Sequence, residues 1–154
     1  MQHPPHLHIE LLTEPFEPLQ KLEQWQQERN NADPEASAAE ALFIGRVRGQ
    51  SSDGQPLCAL ELEHYPGMTE RQLERLATAC GQRHGVHHGL VLHRIGRVLP
   101  GEAIVLVAIA ADRRGPAQRC CQELLEALKH EAPFWKREWR ADGSGHWITG
   151  NTPW

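Results

Sequence analysis

Apolar residues recur along this chain with two periods, and the points where one period gives way to the other predict the elements. Residues 7 to 12, Leu-His-Ile-Glu-Leu-Leu, alternate as a short strand does, and Pro18 to Arg29 reads as a helix with proline near its start, where a missing donor costs nothing. Asn30 to Ser37 is polar, carries Pro34 and reads as a connection. From Glu40 to Arg48 the period returns to two, with Phe43, Gly45 and Val47 on one face and Ile44, Arg46 and Arg48 on the other. Leu57 to His64 alternates again, placing Cys58, Leu60, Leu62 and His64 opposite Glu61 and Glu63. The two runs suggest an antiparallel pair across Gly49 to Pro56, a segment with the composition of a mobile loop.

Tyr65-Pro66-Gly67-Met68 breaks the strand, and Thr69 with Gln72 three positions later resembles a capping box. Leu73, Leu76, Ala77 and Cys80 then give the stripe of a second helix, stopped by Gly81 or Gly85. Gly89 to Ile95 resumes as a strand, Pro100-Gly101 makes a turn, and Ala103 to Ala111 is an uncharged apolar run suited to a central strand buried on both faces. Asp112-Arg113-Arg114-Gly115-Pro116 leads into a third helix with Ala117, Cys121, Leu124, Leu125 and Leu128 on its buried side. Pro133 ends that helix. Trp135 to Arg140 and His146 to Thr149, joined by Asp142-Gly143-Ser144-Gly145, read as a closing hairpin.

These elements predict one α+β domain over residues 1–154, with a mixed, largely antiparallel sheet, about three helices and a flexible N-terminus over residues 1–7. The four cysteines have no CxxC spacing, and three fall on apolar faces, as expected of reduced core thiols in a cytoplasmic protein. No run approaches the roughly 18 apolar residues of a membrane span. A formal net charge of -4 gives the surface no general basic footprint for nucleic acid. Among ten histidines, His84, His87 and His88 are the densest group, but HxxHH in a glycine-rich turn lacks the geometry of a helical metal site, and no metal or cofactor is expected. There is no GxGxxG, Walker lysine loop or GxSxG.

The chemistry therefore rests on cations at element ends: Arg48 before a loop, Arg113 and Arg114 after the most hydrophobic strand, Lys129 at a helix end and Lys136 just beyond it. If they meet, mutual repulsion lowers a lysine's pKa while the arginines hold an anion. If they do not, each is a surface charge, and spacing alone leaves both open.

Four blocks carry a resemblance. Phe43-Ile44-Gly45-Arg46-Val47-Arg48, Glu63-His64-Tyr65-Pro66-Gly67-Met68, His93-Arg94-Ile95-Gly96 with Pro100-Gly101-Glu102, and Pro133-Phe134-Trp135-Lys136-Arg137-Glu138 resemble the signatures of the large, catalytic subunit family of molybdopterin synthase, in its order. The resemblance covers about residues 40 to 140 and implies a fold of the α/β-hammerhead type. It implies conversion of cyclic pyranopterin monophosphate to molybdopterin, with sulfur from the C-terminal Gly-Gly thiocarboxylate of a small ubiquitin-like carrier, in a homodimer within a heterotetramer. By the same resemblance Lys129 and Lys136 are the catalytic groups and Arg48, Arg113 and Arg114 bind the anionic pterin phosphate. Phe43, Arg48 and Lys129 would receive the carrier's tail. The family usually has histidine where this chain has Arg113, and arginine does not shuttle protons at neutral pH. The chain ends Asn151-Thr152-Pro153-Trp154, so it is expected to receive sulfur rather than carry it. The other reading is a non-catalytic α+β binding module that uses the same cations for an anionic ligand or a partner's tail.

Overall fold

The computed structural model describes residues 3–34 and 37–148. In chain order the elements are β1 (His6–Leu12), α1 (Pro18–Ala32), β2 (Ala39–Arg46), β3 (Leu57–His64), α2 (Met68–His84), β4 (His88–Arg94), β5 (Gly96–Val98), β6 (Ala103–Ala111), α3 (Arg114–Glu131), β7 (Phe134–Arg140) and β8 (Gly145–Trp147). The strands form two four-stranded sheets, ordered β1-β4-β6-β2 and β5-β3-β7-β8. Among the described residues only β1 and β4 run parallel; every other strand pairing there is antiparallel. The expected α+β class, three helices and closing hairpin are all present, with Thr149 outside the described residues.

The first sheet holds the core because β6 is apolar on both faces. Val105, Val107, Ile109 and Ala111 pack with Leu73 and Ala77 of α2 and Ala117, Cys120 and Leu124 of α3. Leu106, Ala108 and Ala110 meet Leu22 and Trp25 of α1 on the other side. Alternation along an extended chain sends successive side chains to opposite helical layers, and each large apolar side chain buried this way contributes about 1.5–3 kcal/mol. A smaller cluster, Val47, Leu62 and Val98 with Phe134 against it, joins the second sheet to the first. Arg29, buried beneath α1, stacks 4.8 Å from the Trp25 ring and pairs with Glu40, pinning α1 to β2.

Three expectations are corrected. β2 and β3 do not pair: β2 joins β6, and β3 lies between β5 and β7. The chain leaves the first sheet at a bulge at Gly45/Arg46. Val47 then donates its N–H to Glu102 O at 3.0 Å and accepts from Gly101 N at 2.9 Å. β6 offers β2 a two-sided apolar partner, which acidic β3 cannot. Within 49–56, Gln50 and Pro56 form an isolated bridge and Asp53 pairs with Arg140 at 3.3 Å. Cys58 is exposed rather than core-facing because the β3 register shifts between Leu57 and Ala59. The N-terminal cap of α2 is Glu70, which accepts the Gly67 N–H at 2.7 Å, and not Gln72. His6 and Leu7 of the expected flexible terminus belong to β1.

Candidate functional site: a lysine pair at the α3–β7 junction

α3 ends where Ala132 turns extended at φ -75 and ψ 133 ahead of Pro133, and β7 begins two residues later. Thr69, fully buried at the start of α2, donates its hydroxyl to Pro133 O at 3.3 Å and accepts the Tyr65 N–H at 2.9 Å, so the Tyr65-Pro66-Gly67 turn fixes this junction. On β7 the period of two places Phe134 and Lys136 on one face. Phe134 stacks on the buried His93 ring at 4.3 Å and 15°, so Lys136 is turned inward as well. Its ammonium is half-buried, and burial first and the charge of Lys129 second hold its pKa below the ordinary lysine value. Within this pair the charge of one lysine acts on the other.

His93 donates Nδ1–H to Arg94 O at 2.8 Å, and burial lowers its pKa to about 4, with Lys136 adding to the effect. It is a neutral wall of the site. Arg94 is buried too, reaching Arg97 O at 3.0 Å, Thr13 O at 3.4 Å and the Glu102 carboxylate at 3.9 Å. The His-Arg-Ile-Gly block is thus scaffold for the turn that anchors Val47, a role periodicity does not disclose.

Arg48 follows Val47, and Val47 shares its apolar cluster with Phe134. Arg48, exposed, therefore lies at the same end of the molecule as Lys129 and Lys136. Phe43 is half-buried against the main core. Arg113 and Arg114 are elsewhere. They sit exposed at the N-terminus of α3, and fifteen residues of helix put Arg114 about 22 Å from Lys129. One chain does not bring all five cations together. His84, His87 and His88 also diverge, facing Glu123, Asp112 and Asp33 respectively.

Beside the lysines lies apolar surface that spacing did not reveal. Trp135, on the outward face of β7, meets Tyr65 edge-on at 4.6 Å, and Tyr65, Met68 and Trp135 are 50%, 47% and 42% exposed. No helix among the described residues is long and apolar enough to cross a membrane.

The profile of the MoaE protein family matches residues 13–131. The molybdopterin synthase catalytic subunit of Ralstonia nicotianae is 46% identical over 110 residues, which are 71% of this chain and 61% of that protein, so the match spans about three fifths of that relative's length. The solved molybdopterin biosynthesis MoaE protein of Burkholderia ambifaria superposes with a TM-score of 0.73 at 36% identity, covering 96% of this chain and 91% of the other. A protein-protein complex of subunits 1 and 2 of molybdopterin-converting factor from Helicobacter pylori has a chain of the same fold, at 20% identity and a TM-score of 0.74 over 92% of this chain and 90% of that one. With more than two thirds of its length under the family profile and its fold shared across the solved members, the chain belongs to the MoaE family, whose curated members are named molybdopterin synthase catalytic subunits.

Proposed function

We propose that this chain is the catalytic subunit of a cytoplasmic molybdopterin synthase, transferring sulfur from a carrier's C-terminal thiocarboxylate to cyclic pyranopterin monophosphate. The observation that carries this reading is the lysine pair: Lys136 is turned inward at the α3–β7 junction, with its pKa lowered by burial and by Lys129. A lysine neutral nearer to physiological pH takes or gives a proton as sulfur leaves the carrier's carbonyl, while its charged neighbour stabilises the anion that develops. Arg48 and Lys129 receive the carrier's carboxylate end, with Phe43 packing against the tail. The exposed Tyr65, Met68 and Trp135 surface suits the body of the carrier. The complex of two subunits formed by the Helicobacter pylori relative is in keeping with such a partner.

Arg113 and Arg114 bind the pterin phosphate from a second copy of the chain. Their distance from Lys129 along α3 leaves a single copy with Arg48 alone of the three phosphate-binding arginines beside the lysines, and a homodimer supplies the other two. Arginine at position 113 serves this role without proton transfer. The experiment is conversion of the pterin precursor by purified protein mixed with thiocarboxylated carrier. Dithiolene product that depends on the thiocarboxylate supports the reading. Tight carrier binding with no product would replace it with a binding module.

A further inference from the structure

Away from the lysine junction, α2 and α3 bring together three side chains that the sulfur-transfer reading does not use. Cys80 and His84 are four residues apart on α2 and so share one face, and Glu123 projects from α3 opposite them. One potential ligand atom from each lies within 4.8 Å of the others. A groove between the helices, lined by Cys80, Arg83, Glu123, Glu126 and His130, reaches two of the three, Cys80 and Glu123, from solvent.

We propose that Cys80, His84 and Glu123 form a binding site for a borderline-soft divalent cation, zinc by ligand chemistry, with water in the fourth position. A thiolate, an imidazole and a carboxylate make a mixed donor set of the kind zinc accepts, at bond lengths of about 2.0–2.3 Å. The thiolate and the carboxylate together balance its two positive charges. On binding, Cys80 gives its thiol proton to solvent, His84 coordinates through the Nε2 lone pair, and Glu123 is already ionised.

The surroundings orient these ligands. Arg83 bonds Glu123 Oε1 at 2.5 Å, leaving Oε2, the oxygen beside His84, for the ion. Cys120 Sγ donates to Cys80 Sγ at 3.6 Å, which helps to hold the Cys80 sulfur in place. Without metal the same residues are an ion-pair staple between α2 and α3, in which His84 and Arg83 share one carboxylate. The two roles predict different measurements.

The test is titration of chelator-treated, full-length protein with Co2+, followed by the sulfur-to-cobalt charge-transfer absorption, and with Zn2+ by calorimetry. Wild-type protein takes up one equivalent with the thiolate band. The band is lost in Cys80→Ser, and zinc affinity falls at least about 10-fold in His84→Gln and Glu123→Gln. Cys58→Ser and a His3→Gln/His6→Gln/His8→Gln variant retain both signals. A wild-type titration without the band, or a band that persists in folded Cys80→Ser, overturns the site. Should Cys80→Ser fail to fold, the two glutamine variants decide, and unchanged zinc affinity in both overturns it equally. The site is independent of the sulfur-transfer reading, since the readout needs no turnover.

Discussion

At the scale of single residues, Lys136 and His93 have titrations that follow from where they are held. If neutral Lys136 is the working base, the rate rises with pH through an apparent pKa below that of an ordinary lysine, because burial and then Lys129 disfavour its charge. Replacing Lys129 by Gln removes the like charge and raises the pKa of Lys136. The rising limb of the pH–rate profile of residual activity then moves to higher pH, whereas a purely structural Lys129 would leave it in place. His93 has a folded pKa of about 4, set mainly by burial, against 6.5 for an ordinary histidine. Between those values the unfolded chain binds the extra proton, so stability is full above about pH 6.5 and falls as pH is lowered, by about 3 kcal/mol near pH 4. Urea unfolding from pH 7 to 4 should show this loss, with a smaller slope in His93→Phe.

At the scale of elements, legibility depended on whether an element's own residues determine its partner. β6 and the buried face of α3 were readable because an uncharged nine-residue run and a helical stripe each specify their surroundings. The pairing of β2 was not. Its alternation is compatible with β3 or β6, and the choice is settled by burial across the whole sheet and by the bulge at Gly45/Arg46. Gly45 is part of that choice, since a Cβ there would stand 2.8 Å from Val105 Cγ1, a stiff β-branched side chain on the paired strand. Gly45→Ala should therefore lower stability by about 1–3 kcal/mol in chemical denaturation. An unchanged midpoint would mean that β2 and β6 are not packed this closely. The buried Arg94 was legible only as a motif, because its partners at Thr13, Arg97 and Glu102 come from three separate stretches. Arg94→Ala should cost about 3 kcal/mol by leaving Glu102 and the turn carbonyls without it.

At the scale of the molecule, the five cations divide between two ends of α3, a separation that helix length alone implies once the helix is recognised. Each of the five stands at an element terminus, and a terminus does not say which end of the fold it occupies. Arg48, Lys129 and Lys136 lie at one end and Arg113 and Arg114 at the other, so a site that uses both sets is completed between copies. The most direct measurement is product formation by Arg114→Ala alone, by Lys136→Ala alone, and by the two mixed and allowed to exchange subunits with thiocarboxylated carrier present. Each variant alone should lose at least about 100-fold in rate, as expected when a charge-stabilising group is removed. The mixture should recover about a quarter of the wild-type rate, because half of the dimers are mixed and each of these has one intact site of two. Two folded variants that exchange subunits yet remain inactive together, or a Lys136→Ala protein as active as wild type, would contradict the account.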